Sequence, residues 1–369
     1  CPFDKLPGMT VHPRALLLLG LAASLLPAQM VRHHRPMPKA GEFHVLKADL
    51  HMHTVFSDGL VWPTVRVTEA WREDLDVMSI TDHDDYRPFE KDVSADLSRP
   101  YEIARPMAES LGLLIVPGVE ITKGDIHFNA LFIKDHNAFR GKELQAGLAE
   151  ARRQGAYSFW NHPGWRGKAQ WWPPIATAYS DKLFQGIEIV NGRSYYEEAH
   201  PWIGEYKLAV IANSDIHAPS LSAEERSMTL LLAKERTLEG VREALFAGRT
   251  VAWQQKRLIG NPDILMQLVK AYLQTPASVG LRAGARSAPY ILRNDSSLTF
   301  ELKSVETPVW MDPLTIVVPP QSSVAATLRF KADAPKTRQK VTLRMEVTNA
   351  LAGPAQPLVL PIEFEYAPR

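Results

Sequence analysis

From residue 43 to about 251 the chain repeats one texture: a short apolar run, then a stretch with apolar residues at helical spacing. The runs are HVLKADL (44–50), DVMSI (76–80), GLLIVPGVEI (112–121), FNALFI (128–133), AYSFW (156–160), GIEIVN (186–191), KLAVIAN (207–213) and MTLLLA (228–233). Helical patterns at 64–73, 101–111, 142–154 and 238–246 separate many of them. Strands alternating with helices predict an α/β fold with a parallel sheet, and about eight strands are enough to close a barrel. An open doubly wound sheet satisfies the same periodicity.

After about residue 262 the texture changes. LTFELKS, LTIVVPP, AATLRFKA, KVTLRMEV and LVLPIEFEY alternate apolar with polar residues, and Pro, Gly, Asn and Asp stand between them. Such segments predict an all-β sandwich. Residues 263–275 (DILMQLVKAYLQT) are apolar at helical spacing and are expected to bridge the two parts. The expected organisation is an N-terminal segment at 1–42, a barrel at 43–260, and a connector plus β-sandwich at 261–369.

Residues 15–26 (ALLLLGLAASLL) carry no charge. The run is shorter than the ~20 residues that span a bilayer and has the length of a signal-peptide core, with Ala28 before an expected cleavage point. A buried N-terminal helix is the alternative. Met9 is the expected start, and export to the periplasm or outside follows, with no membrane span in the mature chain.

Composition narrows the function. The 42 Lys and Arg balance 41 Asp and Glu, which leaves no broad positive field to grip a nucleic-acid backbone. Apolar residues at 45% exclude a mainly disordered chain, and the single cysteine, Cys1, excludes a thiolate zinc site. Histidine carries the signal. The first strand ends in Asp49-Leu50-His51-Met52-His53, followed by Ser57-Asp58-Gly59, and alternate residues of an extended strand point the same way, so His51 and His53 can share an ion. The other runs end or begin at Thr81-Asp82-His83-Asp84, Gly118-Val119-Glu120, Asp125-Ile126-His127, Asn161-His162-Pro163 and Asn213-Ser214-Asp215-Ile216-His217. Barrel enzymes gather catalytic groups at the C-terminal ends of several strands. Nine imidazoles and carboxylates exceed what one four-coordinate ion needs, so two or three divalent ions sharing a carboxylate are expected, with Zn, Mn and Fe all suited to these donors.

DLHMHTVFSDG, ITDHD, PGVEIT, HFNALFI, NHPGW and NSDIHAP resemble the successive motifs of the PHP (polymerase and histidinol phosphatase) superfamily. HTVFSDGLVWPTVRVTEAW, FWNHPGW and EALFAGRTVA are similar to the Sb-PDE family of bacterial phosphodiesterases within it. The resemblance covers about residues 45–257. It implies a distorted (β/α)7, TIM-like PHP barrel, followed here by a C-terminal Ig-like all-β sandwich. It also implies a ligand set. His51, His53, Glu120 and Asp215 would hold one ion, and Glu120 would bridge to a second held by His127 and His162. A third would take Asp58, His83 and His217.

The implied activity is metal-dependent hydrolysis of phosphate esters, with organophosphate diesters the expected preference, by a hydroxide bridging two ions. No Ser-His-Asp or Cys-His arrangement offers a protein nucleophile. Asp215 is the candidate to orient the hydroxide and take its proton, with plain ligation as the alternative. Arg87, Arg166 and Arg193 follow strand ends and are candidates for phosphate contacts. Trp165 is a candidate wall for the leaving group, whereas Trp171 and Trp172 suit loop packing. Asp82 and Asp84 flank His83 and could fix its tautomer or cap helices. The competing functions are a phosphomonoesterase of the histidinol phosphatase kind, a 5′-end nuclease, and a cell-surface binding protein whose barrel has lost catalysis. A small-molecule phosphate ester is the expected substrate.

Overall fold

The computed structural model describes residues 31–221 and 226–368. The apolar run at 15–26 and its cleavage point lie outside them. Twelve strands build the N-terminal part: β1 (His44–Asp49), β2 (Val77–Met78), β3 (Leu114–Ile115), β4 (Gly118–Lys123), β5 (Ile126–Leu131), β6 (Tyr157–Trp160), β7 (Gly186–Asn191), β8 (Ser194–Tyr195), β9 (Ala209–Asn213), β10 (Met228–Ala233), β11 (Thr250–Gln254) and β12 (Arg257–Gly260). Among them lie helices α1 (Pro63–Arg72), α2 (Arg99–Ser110), α3 (Leu144–Gln154), α4 (Pro173–Ser180), α5 (His200–Glu205) and α6 (Leu238–Phe246). Local chemistry sets several ends. Pro63 opens α1, where no N–H is needed; Thr237 caps α6 by accepting from the Gly240 amide; and α3 stops at Gly155 in the left-handed region (φ 76°).

The result is the expected distorted, TIM-like α/β barrel, built from two sheets. One runs β3-β2-β1-β10-β11-β12 and the other β4-β5-β6-β7-β8, with β9 beside β7. The expectation of a parallel sheet holds only in part: β1, β2 and β3 are parallel, as are β6, β7 and β9, but β4–β5, β5–β6, β1–β10 and β10–β11 are antiparallel. Connection length is the reason. Only Gly124 and Asp125 join β4 to β5, too few for the crossover that a parallel neighbour requires. Pro117, which has no amide hydrogen, divides the run 112–121 into two strands on different sheets.

Two seams join the sheets. At one, His83 and Glu120 form an isolated bridge. At the other, threonine hydroxyls substitute for a ladder: Thr250 Oγ1 accepts from the Val210 amide (3.0 Å) and Thr229 Oγ1 from that of Ala212 (2.9 Å). Leu46, Val77, Leu131, Phe159, Ile211 and Leu231 fill the interior.

The β-rich part comprises β13 (Leu273–Gln274), β14 (Ser278–Leu281), β15 (Ser287–Asn294), β16 (Phe300–Glu306), β17 (Thr315–Val318), β18 (Ser322–Arg329), β19 (Gln339–Gly353) and β20 (Gln356–Pro368). β15 alternates exposed and buried residues throughout, as a strand covered on one face must. The sheet β13-β15-β18 faces the sheet carrying β14, β20, β19, β16 and β17 across Tyr290, Leu292, Phe300, Leu343, Ile362 and Phe364. This is the expected sandwich. The hydrogen-bonded sheet does not stop between residues 260 and 261, because β12 pairs parallel with β19 (Leu258 with Ala350, Ile259 with Leu351). Helix α7 (Pro262–Tyr272), capped by Asn261, buries Leu265, Leu268, Val269 and Tyr272 in a core shared by both parts. Each such side chain contributes roughly 1.5–3 kcal/mol of apolar transfer energy.

Candidate metal centre

The barrel strands deliver their polar residues to one end, and all nine residues expected as ligands converge there. Seven of them line a cavity of about 830 Å³ whose walls include Tyr86, Trp165 and Tyr196, and His51 and His53 are fully buried beside them. His51 and His53 follow β1, with their Nε2 atoms 3.1 Å apart. Asp215 Oδ1 lies 3.1 Å from the first and 3.0 Å from the second, and Glu120 lies 3.3 and 3.5 Å from them. Glu120 Oε1 also stands 3.2 Å from His127 Nδ1 and 3.5 Å from His162 Nε2. Asp58 Oδ1 gathers the rest: His217 Nε2 at 3.1 Å, His83 Nε2 at 3.5 Å and His53 Nδ1 at 3.7 Å.

These spacings suit shared cations. Atoms about 2.1 Å from one ion lie roughly 3.0–3.4 Å from each other in octahedral or tetrahedral arrangements. Asp58 Oδ1, Glu120 Oε2, His127 Nδ1 and Asp215 Oδ1 are buried with no hydrogen-bond partner among the described residues, although imidazole and carboxylate groups crowd them.

The outward faces of the rings fix which nitrogen faces inward. His51 Nδ1 donates to Glu188 Oε1 (3.0 Å) and His53 Nδ1 to Ser57 Oγ (3.2 Å), which itself donates to Asp82 (2.6 Å). His127 Nε2 donates to the Gly124 carbonyl (3.1 Å), and His217 Nδ1 to that of Asp215 (2.8 Å). Each leaves the opposite nitrogen's lone pair for the cluster. Backbone strain accompanies this: His162 (φ 28°) and Asp215 (φ 51°) both occupy the left-handed region. Gly59 permits the close turn after β1, since a Cβ there would meet the His53 carbonyl carbon at 2.5 Å.

Electrostatics show what the centre demands. Burial opposes protonation of His51, but Asp215, Glu188 and Glu120 outweigh it and hold its pKa well above the ordinary value. His83 is raised in the same way, burial being outweighed by Glu120 and Asp58. His53 goes the other way, to about 3, through burial and the neighbouring His83. Burial would raise Glu120 and Asp215, yet the imidazoles, His83 and His51 foremost for Glu120 and His51 and His53 for Asp215, hold both well below the carboxylate range. The acids stay ionised and draw positive charge to the middle of the cluster, as protons or as metal ions.

The expected substrate contacts divide. Trp165 stands at the cavity wall with its ring 5.3 Å from His127 and 5.5 Å from His162, and Arg166 lies over that ring at 4.1 Å while pairing with Asp125 (3.2 Å). Arg87 does not reach the cavity. Its guanidinium is consumed by the carbonyls of Phe56 (3.0 Å), Ser94 (2.5 Å) and Ala95, which pin the loop after His83. Arg193 lies in the turn between β7 and β8 and lines a separate depression beside Ser214 and Ile216. Neither Asp82 nor Asp84 serves His83: Asp82 accepts from Thr54 and Ser57, and Asp84 from the Thr122 amide (2.9 Å). Trp171 packs on Tyr206 with ring centres 4.0 Å apart.

Three groups were not anticipated. Glu188 is fully buried behind His51. Arg66, on α1, is buried and donates to the carbonyls of His53, Ile216, His217 and Ala218 at 2.7–3.0 Å. Asn161 holds Glu120 Oε1 at 2.6 Å. A carboxylate in the middle of the apolar run GIEIVN, and an arginine on the apolar face of a helix, were the available signals.

A family model described as an Ig-like domain matches residues 276–363. A Bacteroides vulgatus structure, described as a two-domain protein containing a predicted PHP-like metal-dependent phosphoesterase, is 35% identical with a TM-score of 0.84; the match covers 92% of this chain and all of that one. A Bifidobacterium adolescentis structure, described as that of a candidate metal-dependent phosphoesterase, is 16% identical (TM-score 0.38), over 58% of this chain and 98% of that one. The lesion-specific endonuclease Q of Pyrococcus furiosus is 15% identical (TM-score 0.41), over 59% of each chain. No curated protein matches.

Proposed function

This chain belongs to the PHP-like metal-dependent phosphoesterases, and from that premise we propose that it hydrolyses small organic phosphate diesters at the His/carboxylate cluster. The observation that carries this reading is the convergence of nine ligand-type side chains, with buried, unpartnered acceptor atoms, on the floor of an open cavity. We assign His51, His53, Asp215 and Glu120 to a first ion, Glu120, His127 and His162 to a second, and Asp58, His83 and His217 to a third. Divalent ions such as Zn, Mn or Fe would supply Lewis acidity toward phosphoryl oxygens and would lower the pKa of water.

The protein's own groups do the rest. Asp215, kept ionised, accepts hydrogen bonds throughout the neutral range, and Asn191 Nδ2 fixes its Oδ2 at 3.0 Å, so its other oxygen can orient water at the cavity floor. Tyr86, Trp165 and Tyr196 give the walls apolar area for a substituent. Arg166 is the one Lys or Arg among the described residues lining the cavity. A monoester approaches a dianion at neutral pH, whereas a diester carries one charge and two substituents, which suits a wall poor in cations.

Protein loaded with Mn, Zn or Fe should be compared on paired aryl phosphate mono- and diesters and on short oligonucleotides. A higher kcat/KM on the diester is expected. Preference for the monoester would move the assignment to a phosphatase, and preference for oligonucleotides to a nuclease. We further propose export, with the mature chain beginning after about Ala28; N-terminal sequencing of secreted material is expected to find that start, and an intact Met9 terminus in the cytosol would contradict it.

A further inference from the structure

We propose that Glu188 is a positioning residue that couples the first two ion sites; this rests on the two-ion reading above. Glu188 sits in β7, fully buried, where the pairing with β9 shifts register between Glu188 and Val190. Its two oxygens face different ions' ligands. Oε1 takes the His51 Nδ1 proton (3.0 Å) and an Asn213 Nδ2 proton (2.8 Å). Oε2 takes the backbone N–H of His162 (2.9 Å) and an Asn191 Nδ2 proton (2.9 Å), and that same Asn191 group reaches Asp215 Oδ2 at 3.0 Å. One carboxylate therefore sets the tautomer of a ligand to the first ion, anchors the left-handed peptide of a ligand to the second, and steadies the carboxylate placed to orient water.

All four donors need an acceptor, which only a carboxylate supplies on both sides. In Glu188→Gln the amide fails in either orientation. With its oxygen toward His51, its NH2 meets the His162 N–H and the Asn191 NH2. Reversed, the NH2 meets His51 Nδ1 and drives the ring proton to Nε2, the atom that faces the cluster. Each orientation spoils the ligand of one ion.

The test is a stepwise Co2+ titration of the metal-stripped full chain, followed by the visible d–d bands and by competition with a chelator, with the melting temperature of the stripped protein measured beside it. In Glu188→Gln one Co2+ step is expected to weaken by about 10–100-fold, with altered bands. Glu188→Asp, which keeps the charge but reaches fewer donors, should show a smaller loss, and it carries the test if the glutamine variant does not fold. A purely structural role would lower the melting temperature and leave every Co2+ step and its spectrum unchanged, which would overturn the inference. A wild type that binds no Co2+ would overturn the two-ion reading and this inference with it. Two or three Co2+ steps in the wild type with unchanged steps in the variants would overturn only the role of Glu188.

Discussion

Replacing Glu120 by glutamine is expected to abolish two ion sites at once. Glu120 has no exposed surface, and its oxygens lie within 3.5 Å of five imidazoles, namely those of His51, His53, His83, His127 and His162. Glutamine keeps the shape but loses the shared negative charge and turns two N–H donors toward nitrogens that must act as ligands. Losing an outer-shell partner weakens metal binding by about 10–100-fold, so losing a bridging ligand should cost at least ~100-fold per ion. At 1.4 kcal/mol per tenfold, that is about 3 kcal/mol for each of two ions. Asp58→Asn serves as the comparison. Asp58 Oδ1 touches His53, His83 and His217, its side chain is 24% exposed, and its loss should loosen only the third site. Dialysis against a graded chelator series, with metal counted per chain, measures this. Glu120→Gln should retain no more than one ion under conditions where Asp58→Asn retains two. Equal retention in the two variants would refute the bridging assignment.

Three further outcomes follow from the same structure. Arg226→Met leaves buried Asp49 without its cation and buried Glu73 with only the partly exposed Arg72 (3.3 Å); denaturant unfolding should show a loss of about 3–5 kcal/mol, and a change below 1 kcal/mol would contradict the pairing. Burial depresses His200 to about 4, and its Nδ1 lies 2.6 Å from the Tyr195 hydroxyl. The unfolded chain then binds the extra proton first, so the stability given by neutral His200 is complete above pH ~6.5 and lost as pH falls toward 4; the difference in stability between wild type and His200→Gln should change across that window and be flat above it. Arg87→Ala should destabilise the loop at 88–98, read as faster proteolysis there, with KM little changed, whereas Trp165→Ala should raise KM without altering metal content.

Most of the ligands were legible because they fall near a strand end in a short local pattern, HxH, SDG, TDHD, NHP or NSDIH, whereas Glu120 stands inside β4 and His127 at the start of β5. Such patterns place a side chain relative to its own strand, and the convergence of strand ends does the rest. Glu188 was not legible, because three of its four partners stand 25 to 137 residues away and only the neighbourhood of β7 with β1 and β9 shows why an acid sits in an apolar strand. Arg87 and Arg193 misled for the complementary reason. Proximity to a strand end says where a residue begins, but the direction of a long side chain is decided by which carbonyls or depressions lie beside it. The alternation of strands and helices gave the barrel, yet not its strand directions, because a two-residue turn at Gly124 and Asp125 reverses the chain where periodicity alone continues forward.

Elemental analysis of the full chain, purified without added metal and without chelator, tests the central claim most directly. At least two transition-metal ions per chain are expected, restored to the same ratio after stripping and reloading. A ratio near zero that reloading does not restore would contradict the metal centre.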